Sequence, residues 1–114
     1  MILDEGLNEM AERLAADLTK GQWGSGTNAV TPSDTGLQTA IAATLLTFDS
    51  SIASSNSVQV QHNVNSTLGN GSTFAEFELQ FDDGNSLTRS VGATFSKTSS
   101  FEVTTLVTVN LVRA

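Results

Sequence analysis

The stretch SVQVQHNVN, residues 57–65, decides the fold. Val58, Val60, His62 and Val64 fall on one side of an extended chain, and Gln59, Gln61 and Asn63 on the other. Successive strand side chains point to opposite faces, so this alternation predicts a half-buried β-strand. The pattern recurs downstream. Phe77, Leu79 and Phe81 alternate with Glu76, Glu78 and Gln80, which predicts a second strand with one charged face. TLGNGS at 67–72 reads as a hairpin turn before it, and DDGN at 82–85 as a turn after it, leading into a third strand, SLTRSVGATF. Phe101, Val103, Thr105, Val107, Val109 and Leu111 then line one side of a final strand. Its other side mixes Thr104, Thr108 and Asn110 with Leu106 and Val112, so LVTVNLV is apolar on both sides. Left on an open edge, such a segment invites aggregation. It is therefore expected either to lie centrally in its sheet or to be covered by a neighbouring subunit.

Upstream the period changes. Leu3, Leu7, Met10, Leu14 and Leu18 recur every three or four residues, which predicts an amphipathic helix over residues 2–19. Asp4 and Glu5 in the first turn and Lys20 at the end complement the helix dipole, and Gly21 supplies the stop. Between helix and strands lies GSGTNAVTPSDTGL, residues 24–37, with three glycines and the only proline of the chain. Residues 41–48 are apolar enough for a further strand, while a short helical turn around 34–43, capped by Ser33 or Asp34, reads equally well. The expected class is α+β: a single domain over 1–114, with a helix at 1–21, a Gly/Ser/Thr-rich loop at 22–40 and an antiparallel β-sandwich at 41–114.

Composition narrows the function. The 114 residues fit one domain, and 15% charged residues are too few for charge-driven disorder. The net charge is −7, with no basic stripe to displace phosphate counterions, so neither nucleic acid nor an anionic membrane surface is an expected partner. Five of the twelve acids sit on the N-terminal helix, as its solvated face. With no cysteine, disulfides and thiolate metal sites are excluded. No apolar run approaches the roughly 20 residues of a membrane helix, and MILDEGLNEM is acidic where a signal peptide is basic. Synthesis in a cytoplasm is the expectation.

A search for chemistry returns little. His62 is the only histidine and lies mid-strand among valines, not at a site mouth. Glu76 and Glu78 share a strand face about 6–7 Å apart, a glycosidase-like spacing with no cleft signalled around it. FDDGNS lacks the alternating ligands and terminal glutamate of a calcium loop. The sequons Asn65-Ser66-Thr67 and Asn70-Gly71-Ser72 matter only in a secreted chain. GSGT has no lysine and is expected to follow a helix and not a strand, so it does not read as a phosphate loop. No catalytic residue, cofactor, metal or small-molecule substrate is expected.

The order of blocks carries a resemblance. Gly24-Ser25-Gly26-Thr27, then Thr31-Pro32-Ser33-Asp34-Thr35-Gly36-Leu37, resembles a segment common in tail-fibre and baseplate-associated proteins of tailed viruses. In that group a short N-terminal helix precedes a Gly-x-Gly-Thr stretch and a Ser-Asp-Thr-x-Leu segment. Glu78-Leu79-Gln80-Phe81, the DDG turn, Leu87-Thr88-Arg89-Ser90-Val91, Phe95-Ser96-Lys97-Thr98 and the long Val/Thr strand follow in the same order. The resemblance implies a non-enzymatic virion protein, assembled as a symmetric homo-oligomer and joined to other tail proteins. Many relatives carry a fibre shaft or receptor-binding region after this domain, whereas this chain ends at Ala114, which implies an adaptor or joint. Trp23 stands where smaller aliphatic residues are common.

On this reading Trp23, Gly24, Gly26, Pro32, Asp34 and Leu37 form a candidate subunit interface, the glycines allowing close backbone approach and Pro32 and Asp34 fixing a turn. A purely intramolecular role for Trp23, capping the core, is the competing expectation. Two rivals share the fold class: a glycan-binding sandwich and a capsid decoration protein.

Overall fold

The computed structural model covers residues 1–113. A helix, α1 (Asp4–Asp17), runs directly into strand β1 (Leu18–Gly24). After residues 25–41 and a 3₁₀ turn (Ala42–Thr44) come β2 (Leu46–Thr47), β3 (Ser50–Ser54), β4 (Ser57–Val64), β5 (Thr73–Phe81), β6 (Ser86–Ser96) and β7 (Val103–Asn110). The strands form two antiparallel sheets, ordered β2-β1-β5-β6 and β3-β4-β7. The fold is α+β, one helix followed by a sandwich-like pair of sheets, as the alternation requires.

The core forms where the inner faces meet. Val58, Val60, His62 and Val64 of β4 are all buried, with Val107 and Val109 of β7 partly buried beside them. Opposite stand Phe77 and Leu79 of β5 and Leu18 of β1. Helix α1 packs on β3 and β4 through Leu7 and Ala11, and its Ala15 carbonyl accepts the Ser51 hydroxyl at 2.8 Å. Its buried stripe is narrower than the sequence spacing implies, since Leu3 and Met10 face outward.

The helix also ends earlier than expected, at Asp17, and residues 18–24 form a strand, not the end of a helix and the start of a loop. Leu18 closes the last turn through its N–H on the Leu14 carbonyl, then turns extended and pairs with Phe81. Pairing along β5 satisfies a whole strand of backbone groups and puts the Leu18 side chain in the core, a gain no short helical extension matches. Gly21 is consequently not a helix stop. A Cβ there would lie 2.8 Å from Phe77 and 2.9 Å from both His62 and Phe48, so three rings occupy the space of its missing side chain. Lys20 lies in β1, away from the helix end.

Three further expectations change. Residues 65–72 do not close a hairpin: β4 pairs with β3 and β7, β5 with β1 and β6, so this segment crosses between sheets. Glu76 and Glu78 are not on an open charged face, because both are buried. Strand β7 is not central; it ends its sheet. The DDGN turn does close the β5–β6 hairpin, with Gly84 at φ 91° and Phe81 N–H on the Asn85 carbonyl at 2.8 Å. Residues 41–48 divide between the 3₁₀ turn and β2.

Candidate functional site

Residues 25–39 leave β1 at Gly24 and return beside it. Gly24 bridges Ala40, Ser25 N–H meets the Thr39 carbonyl at 2.8 Å, and Ile41 N–H meets the Trp23 carbonyl at 2.9 Å. The Thr44 hydroxyl fastens the return by donating to the Ile41 carbonyl at 2.7 Å while accepting from Trp23 N–H at 2.9 Å. The loop is thus closed at its neck and lies over the outer face of the four-stranded sheet.

A buried carboxylate clamps it there. Glu76 Oε2 accepts the backbone N–H of Gly26 at 2.7 Å and of Thr39 at 2.9 Å. Oε1 accepts Gln38 N–H and Arg89 Nε, both at 2.8 Å. Four donors fill the roughly four lone-pair sites of a carboxylate, so none is left for proton transfer or a metal. The guanidinium continues the clamp: Nη1 reaches Asp34 at 3.1 Å and Nη2 the Asn28 carbonyl at 2.9 Å. Asp34 in turn accepts Thr31 N–H at 3.1 Å and its hydroxyl at 2.9 Å, across a β-turn with Pro32 second that Asp34 N–H closes on the Thr31 carbonyl at 3.1 Å.

The glycines answer to this carboxylate. A Cβ at Gly24 or at Gly26 would sit 2.5 Å from Glu76 Oε2, so each must be bare for the backbone to reach it. Both are buried inside the chain. Trp23 points into the core side of β1, with its ring 5.1 Å from Phe74, 5.0 Å from Phe77 and 5.6 Å from Phe95. Of the six candidate interface residues, then, Trp23, Gly24 and Gly26 serve the chain's own packing, which favours the intramolecular reading of Trp23. Asp34 is an inner tether with 29% of its side chain exposed, Leu37 is half-buried and Pro32 is exposed. Pro32 borders a shallow open cleft of about 490 Å³ between the loop and the start of β6. Sequence reasoning weighed Glu76 only as half of a glycosidase-like pair, and missed both its role as a clamp and Arg89 as its partner. The available signal was Arg89 itself, one of three arginines in an acidic chain, lying on a strand that pairs with the glutamates.

Electrostatics agrees with a structural site. Burial pushes the Glu76 carboxyl up, but Arg89 and the three backbone N–H groups outweigh it, and its pKa lies below the ordinary 4.5. His62 is fully buried, with Nε2 2.9 Å from the Gly21 carbonyl and 3.1 Å from that of Thr44. Two acceptors place the proton on Nε2 and leave buried Nδ1 without a partner among the described residues. Burial lowers the His62 pKa below 6.5, against the pull of those carbonyls.

Both folded pKa values lie below their unfolded counterparts, so on acidification the unfolded chain takes up the protons first. Stability is therefore full above pH 6.5, begins to fall below it as unfolded His62 protonates, and falls again below 4.5 as Glu76 joins. The urea midpoint measured from pH 8 to pH 4 is expected to follow that course. In His62→Gln the decline between pH 7 and 5 should disappear; its persistence there assigns the decline to another group.

No protein-family model matches this chain, and no curated protein matches it. No helix among the described residues is long and apolar enough to cross a membrane.

Proposed function

We propose that this chain is a structural virion protein of a tailed virus: a tail, baseplate or fibre-attachment adaptor that works as a symmetric oligomer and not as an enzyme. The resemblance of its ordered sequence blocks to tail-associated proteins supplies the virion setting. The observation that carries the assembly reading is the outer face of the three-stranded sheet. Every outward side chain of β3, β4 and β7 is uncharged, in a chain of net charge −7. Ile52 and Leu106 stand there 61% and 60% exposed, set among Ser, Thr, Gln and Asn. The opposite sheet spends its outer face on holding residues 25–39, so the neutral face is the broad one left open. Its partners would be copies of itself and other tail proteins, joined by many modest contacts on a rigid sandwich. The chain would be made in the host cytoplasm and act in the virion.

Light scattering on the purified protein tests the assembly. Contact through a neutral face is opposed by like net charge, so added salt is expected to preserve or raise the mass. A monomer at high concentration in both low and high salt contradicts self-assembly. Antibody labelling of particles tests the location, with label at the tail expected and label over the capsid favouring decoration.

A further inference from the structure

Four strands terminate the two sheets, and three of them are guarded. Strand β2 is two residues long, β3 is flanked by α1, and β6 carries Arg89 and pairs with β5 through two register shifts. Strand β7 has no such protection. Its eight residues, VTTLVTVN, include no charge, proline or glycine, and its pairing with β4 runs unbroken from Val103 to Asn110. Short edges, charges, prolines and bulges are the usual means of stopping edge-to-edge pairing, and β7 uses none of them.

We infer that β7 is the self-association edge, pairing antiparallel with β7 of a second copy about a two-fold axis at Leu106. The inference rests on the oligomeric reading above and names its contact. Opposed residues in an antiparallel pair share a face, so the axis must pass through a residue position and not between two. Centred on Leu106, the register sets Leu106 against its own copy, Thr104 against Thr108, Thr105 against Val107 and Val103 against Val109. All lie within the strand and favour β structure. Centring on Val107 instead also pairs seven strand residues, but it sets Leu106 against Thr108 and so gives up the apolar contact between the two exposed leucines. Either register runs one residue past the strand, Asn110 meeting Glu102 in the first and Val103 meeting Leu111 in the second.

Charge selects the occupant. Two chains of −7 each approach most easily where neither carries charge, and the β7 edge with its adjoining face is such a place. A basic partner finds no acid within the strand to hold, Glu102 lying just before its first residue. A second copy offers a neutral strand in matching register, and the product is a continuous six-stranded sheet, β3-β4-β7-β7-β4-β3, with one uncharged face.

The chain has no cysteine, so a single introduced thiol gives an unambiguous readout. A short bis-maleimide should link Leu106→Cys into covalent dimer and leave Ile52→Cys, two strands from the edge, at background. Leu106→Lys puts like charges together on the axis at an exposed position, so its circular dichroism should match the parent while the light-scattering mass falls by at least half. If the parent is oligomeric but Leu106→Lys keeps its mass and Leu106→Cys does not link, the β7 contact is overturned and assembly stands. Equal linking of both cysteine variants also overturns the contact. A monomeric parent removes both the contact and the assembly.

Discussion

Glu76→Gln should cost on the order of 3–5 kcal/mol, a large share of the roughly 5–15 kcal/mol that holds a domain of this kind folded. The substitution keeps the shape and removes the charge, yet no orientation of the amide fits. Each carboxylate oxygen faces two donors: Gly26 and Thr39 N–H at Oε2, Gln38 N–H and Arg89 Nε at Oε1. Whichever way the glutamine turns, its NH₂ meets two other donors, and Arg89 loses its buried counter-charge. Urea unfolding reads the loss, and hydrogen exchange should show Gly26, Gln38 and Thr39 amides deprotected together. Glu78→Gln is the control. That carboxylate is also buried, but its side-chain partner is Gln80, so neutralising it should cost far less. Equal costs at the two glutamates would mean that general burial, not the loop clamp, sets the effect.

Trp23→Ala should destabilise the folded chain itself, by about 3 kcal/mol, the lower end of the range for removing a large aromatic because this ring is half-buried. Three phenylalanine rings pack around the indole, and none can collapse into its volume while β1 and β5 stay paired. Trp23 is the only tryptophan, so the denaturation midpoint is followed by circular dichroism in both proteins. A midpoint shift with any loss of assembly secondary to it supports the core role. An unchanged midpoint with a lower solution mass would return Trp23 to the subunit interface.

Local patterning carried much of the architecture. The alternation in 57–65 specifies β4 and its inner face residue by residue, because one-sided burial leaves no other register for three valines and a histidine. DDGN specifies the β5–β6 hairpin, since Gly84 tolerates the positive φ it needs. The leucine spacing specifies the helix but not its end. LTKGQWG has no clear period of either kind, and it becomes a strand because β5 lies beside it with unpaired backbone groups.

The candidate site was legible only in outline. Residues 24–37 were identifiable as a built turn, and the turn around Pro32 and Asp34 follows from their chemistry. That Gly24 and Gly26 are bare for Glu76 was not legible. The carboxylate comes from a strand 50 residues further along the chain than Gly26, and alternating glutamates look alike whether they face water or a covering loop. The position of β7 was hidden for a related reason. Its composition shows that it needs a neighbour, but sheet order is set by which strands bury the most together, a property of the assembled sandwich and not of any segment.

By itself, then, the sequence determined the α+β class, the faces of β4 and β7, the hairpin turn and the lack of charge on β7, since all of these are read over a few neighbouring residues. The tertiary structure alone decided that Glu76 is a clamp, that Trp23 packs against Phe74, Phe77 and Phe95, and that β7 is an edge. Each of those depends on which distant segments come together, and burial is a property of that meeting.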